Sequence, residues 1–195
     1  MSVVCAKIFD DYISIASDSG VYAGDSRVPS TTIEKILHIA DDFLIGVCGD
    51  VSEMNLMKWF ARDHRPEENT EQGIFHFMRD FFDWCVDEKH GFQADEPELP
   101  DGVILPKPVN EYLIVYQNKL YCCMGPQVHG ITQYAAIGAG APYALTALSL
   151  GHDCVEAVRI ASELCVYVHT PVHWYNAFDP VTHSTAKQLT FSGQI

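Results

Sequence analysis

Ser2 stands directly before an apolar run, Val3-Val4-Cys5-Ala6-Lys7-Ile8-Phe9, that reads as a strand. Chain ends normally fray, so a hydroxyl residue opening a buried strand calls for a reason. Its own α-amine supplies one. With Met1 removed, Ser2 carries nucleophile and base on a single residue, because the amine can accept the hydroxyl proton. Asp18 and Lys35 are the charged residues best placed to support that chemistry. Other candidates are weaker. His169 and His173 are four apart, but Pro171 lies between them and breaks a helical ligand pair. Gly138 and Gly140 lack the lysine and Ser/Thr pattern of a phosphate loop. The expectation is a site without cofactor or metal.

The elements that must position these residues are legible from periodicity. Asp10-Asp11 turns the first strand into Tyr12-Ile13-Ser14-Ile15-Ala16-Ser17-Asp18, and a polar, turn-rich segment, Ser19 to Thr31, follows. A second hairpin repeats the design, with Ile33 to Ala40, an Asp41-Asp42 turn, and Phe43 to Gly49. Near-continuous apolarity in these strands predicts a sheet covered on both faces. Asp50 or Ser52 caps a helix to about Asp63, with Val51, Met54, Met57 and Ala61 on one face. A second helix carries Ile74, Phe77, Met78, Phe81, Phe82 and Cys85 in one stripe, which reads as core.

The segment 91–110, rich in proline and acidic residues, reads as a loop at an entrance or interface. A third hairpin, Glu111 to Tyr116 and Leu120 to Met124, turns at Asn118-Lys119, and Tyr134 to Ile137 forms a short strand. Pro142 opens a helix ended by Gly151. Asp153 caps another, with Ala157, Ala161, Leu164, Cys165 and Val168 on one face, stopped by Pro171. The tail holds a plausible strand at Gln188 to Phe191. Hairpins, two helices, more hairpins and two more helices predict an α+β domain over 1–195, a four-layer αββα sandwich of two antiparallel sheets between helix pairs.

Composition sets the outer bounds. At 195 residues, with 48% hydrophobic and 19% charged residues, the chain can bury a substantial core. A net charge of -14, with 12 Lys and Arg, argues against binding nucleic-acid phosphates. No apolar stretch approaches the roughly 20 residues of a membrane span, and the N-terminus lacks a signal-peptide pattern. The expected setting is cytoplasmic, or a larger soluble particle. Of the seven cysteines, Cys5, Cys48, Cys85 and Cys165 sit in apolar runs and read as buried free thiols. Cys122 and Cys123, neighbours on a strand, should face opposite ways. No spacing suggests zinc or a disulfide framework.

In order and spacing these pieces resemble proteasome β-type subunits, above all the HslV-type peptidases among the N-terminal nucleophile hydrolases. The carriers are Ser2-Val3-Val4-Cys5-Ala6, Ala16-Ser17-Asp18, Ile33-Glu34-Lys35-Ile36, Phe43 to Gly49, Ala136 to Ala144, and Ala161 to Tyr167. The resemblance spans roughly residues 2 to 170, with the 91–110 loop unmatched. It implies the αββα sandwich, a homo-oligomeric ring or stacked rings, peptide-bond hydrolysis in an enclosed chamber, and a docked ATPase unfoldase. It also implies roles: Ser2 as nucleophile, Lys35 lowering the amine's proton affinity by like charge, Asp18 holding Lys35, and the Gly49 N–H as oxyanion donor.

The chain departs from the family pattern at three points. Serine stands where threonine is usual, the Asp18-to-Lys35 spacing is one residue longer, and Ala139 replaces a serine near the nucleophile. Two functions of different classes follow. One is an N-terminal serine peptidase in a self-compartmentalised ring. The other is a catalytically inactive, proteasome-like subunit that builds a larger assembly.

Overall fold

The computed structural model describes residues 2–23, 26–28, 33–86, 110–125 and 127–178, and the main chain of 192–194. Among the described residues it is a mixed α+β structure with antiparallel sheets and four helices. The first hairpin is β1 (Val4–Ile8) and β2 (Tyr12–Ser17), and Tyr22–Ala23 (β3) pairs with Ser26–Arg27 (β4) as a short ribbon. The second hairpin is β5 (Ile36–Ala40) and β6 (Phe43–Cys48), followed by α1 (Val51–Asp63) and α2 (Glu71–Val86). Then come β7 (Glu111–Tyr116), β8 (Lys119–Met124), β9 (Gln127–Ile131) and β10 (Tyr134–Ile137). The helices α3 (Ala141–Ser149) and α4 (Cys154–Leu164) precede β11 (His173–Phe178) and β12 (Ser192–Gln194).

One five-stranded sheet runs β10-β1-β2-β11-β12 and the other β5-β6-β7-β8-β9, every pair antiparallel. Strand alternation sorts the side chains into three apolar clusters. Val4, Ala6, Ile13 and Ile15 of the first sheet meet Ile36, Leu44, Leu113 and Val115 of the second. On the second sheet's opposite face, Phe43, Ile45 and Tyr112 pack with Met57, Phe60, Ile74, Phe77 and Phe81 of α1 and α2. Val3, Cys5 and Ala16 pack with Ala144, Leu148, Ala157, Val158 and Ala161 of α3 and α4. Strands buried on both faces explain the near-continuous apolar runs. Cys122 and Cys123 do face opposite ways, one in the inter-sheet cluster and one in the α1–α2 cluster. All seven cysteines are free and buried.

Several sequence expectations need correction. Lys35 lies just ahead of β5 rather than within it, although its carbonyl still accepts from Val47 N at 2.9 Å. The third hairpin turns at Gln117-Asn118, one residue early, where both φ angles are positive, 45° and 62°, as a tight two-residue turn requires. The strand β9 is mostly exposed at an edge, and β11 is half-buried, with His173 and Asn176 interrupting its aromatic residues, so neither shows the apolar run that marks a strand. Helix α4 ends at Leu164, whose successor Cys165 turns to extended backbone, six residues before Pro171 could act. Leu164 and Val51 are exposed, and Phe82 is half-buried beside the buried Phe81. The loop expectation falls outside the described residues except for Asn110, and the strand expected at 188–191 lies outside them altogether. Among the described residues no helix is long and apolar enough to cross a membrane.

Candidate active site

The first sheet pins the chain at Ser2 and Val3. The strand β1 sits between β10 and β2, with Val4 opposite both Ile137 and Ser17. One residue earlier, Val3 faces Asp18: the Val3 carbonyl accepts from Asp18 N at 3.2 Å, and Val3 N donates to Asp18 Oδ1 at 2.9 Å. On the other side the Ser2 carbonyl accepts from Gly140 N at 3.0 Å. Ser2 is buried, at 4% exposure. The register of three strands thus fixes a residue that would fray at a free end.

Asp18 is the hub. It is fully buried, and its carboxylate accepts four hydrogen bonds. Lys35 Nζ donates to Oδ1 at 2.7 Å, beside the bond from Val3 N. Gly20 N at 3.0 Å and His169 N at 3.2 Å donate to Oδ2. Lys35, itself buried, reaches across from the second sheet. A buried carboxylate is costly unless paired and saturated with donors, and this one is both. The spacing of Asp18 and Lys35 leaves the two side chains in direct contact.

Gly49 follows β6 at φ 142°, a conformation that side-chain-bearing residues rarely adopt. A Cβ there would collide with the side chain of Asn110. The next residue, Asp50, caps α1, accepting from Ser52 N at 2.7 Å and Glu53 N at 3.2 Å. Asn110 grips the Asp50 main chain from the other side: its Oδ1 accepts from Asp50 N, and its Nδ2 donates to Asp50 O at 2.9 Å. Beneath Ser2, Gly138 has φ 86°, and a Cβ on it would lie 2.5 Å from the Ser2 carbonyl oxygen and 2.8 Å from Cys48 Sγ. Burial pushes the Cys48 thiol well above its ordinary value, so it stays a thiol and donates to Ile137 O at 3.6 Å. Ala139, between two glycines that touch Ser2, brings no hydroxyl to the site.

Ser2, Lys35 and Gly49 line a single cleft, together with Gly20, Val21, Tyr22, Ile33, Val47, Asp50, Val51 and Met54. Asp18 stands behind them, outside that lining. The structure therefore brings together all four residues expected from sequence. The cleft is polar at Ser2 and Lys35, and Val21, Ile33, Val47 and Met54 give it an apolar lining. It offers a hydroxyl, a buried lysine and a glycine turn that no other residue could make without strain. Among the described residues no group of three or more His, Cys, Asp or Glu side chains is placed to hold a metal.

Sequence reasoning missed four neighbours. The Tyr22 hydroxyl donates to Val166 O at 2.5 Å and lies 2.5 Å from His169 Nε2. Desolvation lowers the His169 pKa, favouring the neutral ring, and raises that of Tyr22. Asn110 holds Asp50, and Glu111 Oε2 accepts from Gly138 N at 2.7 Å. None carries a sequence signal, because each acts on main-chain atoms or on another residue far away in sequence.

No family model matches the sequence, and no curated protein matches it. Solved structures do match in fold. BPH of Thiobacillus denitrificans in complex with epoxomicin superposes with a TM-score of 0.74 at 20% sequence identity, over 90% of this chain and 98% of that one. A second structure of Thiobacillus denitrificans BPH gives 0.72 at 21% identity, over 90% and 97%. At these identities the likeness is one of fold.

Proposed function

We propose that the chain is an N-terminal serine peptidase of the proteasome-like, HslV-related kind, active once Met1 is removed. The observation that carries this reading is the Asp18 carboxylate, which holds Lys35 Nζ at 2.7 Å and Val3 N at 2.9 Å on the same oxygen, one residue from Ser2. A generic surface serine has no need of a buried ion pair anchored to its neighbour's main chain. Likeness of fold to a protein solved with epoxomicin supports the same reading.

In this reaction the free Ser2 amine takes the proton from Oγ as Oγ attacks the scissile carbonyl carbon. The Lys35 charge lowers the amine's proton affinity, so that it is unprotonated and able to act as base near neutral pH. The oxyanion of the tetrahedral intermediate is stabilised by the Gly49 N–H. Collapse breaks the C–N bond, and the amine returns its proton to the leaving nitrogen. Water, deprotonated by the same amine, then hydrolyses the Ser2 ester. The apolar wall of Val21, Ile33, Val47 and Met54 takes a substrate side chain.

The three apolar clusters support a four-layer αββα sandwich. Assembly into a homo-oligomeric ring, with an ATPase ring feeding it, belongs to the same proposal. The test is intact mass together with turnover of fluorogenic peptides by wild type and Ser2→Ala. Loss of the Met1 mass with Ser2-dependent turnover supports the peptidase. Retained Met1 and no turnover would identify the inactive, assembly-building subunit instead, because an acylated Ser2 nitrogen has no base to offer.

A further inference from the structure

We propose that Asn110 and Glu111, at the opening of β7, are positioning residues for this reaction, Asn110 for the oxyanion donor and Glu111 for the nucleophile. The inference rests on the N-terminal serine reading. Its geometric basis is strand alternation: successive side chains leave a strand on opposite faces. Asn110 shares a face with Tyr112, which packs among the α1–α2 cluster and donates its hydroxyl to Glu53 of α1 at 2.5 Å. Glu111 shares the other face with Leu113, in the cluster between the sheets. One residue step thus reaches two parts of the site that come from different sheets.

Asn110 is 2% exposed, and a buried amide is costly unless its polar atoms find partners. Both of its polar atoms go to the main chain of one residue, Asp50. The helix start does not need them, since Asp50's own side chain already caps α1. Its Oδ1 bond fixes the Gly49–Asp50 peptide and its Nδ2 bond the Asp50–Val51 peptide, with Gly49 held at φ 142° against the Asn110 side chain. Holding Gly49 at that angle orients the preceding Cys48–Gly49 peptide, which carries the Gly49 N–H. Glu111 acts on the other half. It accepts from Gly138 N at 2.7 Å, and in the same turn Gly140 N donates to the Ser2 carbonyl at 3.0 Å. The carboxylate therefore fixes the turn on which the nucleophile's main chain rests.

The test uses the assembled, Met1-processed protein, with kcat and KM for a fluorogenic peptide and the Ki of a peptide aldehyde, whose hemiacetal oxygen occupies the oxyanion position. Asn110→Ala is expected to lower kcat about tenfold to a hundredfold, short of losing a whole oxyanion donor. KM should stay within about twofold, and aldehyde affinity should fall in step with kcat/KM. Asn110→Asp keeps the acceptor and loses the donor, so it should fall between. Glu111→Ala is expected to lower kcat about tenfold, and Glu111→Gln to restore most of it, because an amide oxygen still accepts from Gly138. Unchanged kcat in both alanine variants, or losses that follow melting temperature and are not restored by Gln, would overturn the inference while Ser2-dependent activity of the wild type stands. A processed wild type indistinguishable from Ser2→Ala would overturn the parent reading, and this inference with it.

Discussion

Lys35 Nζ lies 2.7 Å from Asp18 Oδ1, and both side chains are withdrawn from solvent, at 6% and 0% exposure. Such a pair is held in place by the cost of breaking it rather than by its net contribution to stability. Asp18→Asn keeps the size of the side chain but leaves the Lys35 charge buried without its counter-ion. The expected loss is about 3–5 kcal/mol, measured by urea unfolding. Hydrolysis should fall with it as the lysine leaves the site. A variant as stable and as active as wild type would remove Asp18 from its central place.

Ser2→Ala should abolish turnover and change the melting temperature little. Ser2→Thr should retain or raise activity, since the added methyl group restricts the hydroxyl to fewer rotamers. On the proposed reading, mass spectrometry after incubation with epoxomicin gives a second reading without a peptide substrate, with an adduct expected on the N-terminal peptide of the wild type and none on Ser2→Ala.

The places of this site's residues were legible because they sit at ends of regular elements, while their roles came from the resemblance in order and spacing. Asp18 follows β2, Lys35 precedes β5 and Gly49 follows β6, so locating the strands also locates the side chains. The apolar stripe of α2 and the opposite facing of Cys122 and Cys123 follow from periodicity alone. What escaped has no such periodicity. His173 to Phe178 is a half-buried strand of mixed side chains recruited by pairing with β2, a tertiary effect. Asn110, Glu111 and His169 act through main-chain amides, which any residue type possesses, so side-chain identity does not announce the partner.

Two glycines with positive φ separate backbone strain from steric collision. Gly151, at φ 99°, has open space where a Cβ would go, whereas a Cβ on Gly138 would strike the Ser2 carbonyl. Gly151→Ala should therefore cost only the left-handed backbone penalty, about 1–2 kcal/mol. Gly138→Ala should cost more than that and also reduce turnover, because relieving the collision moves Ser2. Equal losses in stability with unchanged activity would show that the turn at Gly138 does not support the nucleophile.

Burial pushes the Cys85 thiol up to about 12 and also raises those of Cys48, Cys122 and Cys123, and that of Cys5 rises through its hydrogen-bonded contact with Cys154 and then through burial. Reaction with a disulfide reagent needs both thiolate and access. At pH 8 the native protein should show almost no rapidly reacting thiol, and the denatured protein should show seven. A single fast thiol in the native state would mark a local opening around that residue.

Desolvation of the His169 ring, which lies beside Tyr22, gives a pH dependence whose sign can be worked out. Desolvation first, then the Arg27 and Lys35 charges, lower the His169 pKa from 6.5, while Asp18 and the Val166 carbonyl oppose the shift. Below pH 6.5 the unfolded chain therefore takes up a proton that the folded ring resists. Stability from this group is complete above that pH and is lost as pH falls towards the lower folded value. His169→Gln cannot titrate. Its melting temperature should fall less than that of the wild type between pH 7 and pH 5, while both share the contribution of the carboxylates. The same acidification should weaken hydrolysis more in the wild type, because a charged ring beside Tyr22 disturbs the segment whose His169 N–H holds Asp18 at 3.2 Å. Parallel melting curves for the two proteins across that range would assign the acid sensitivity to other groups.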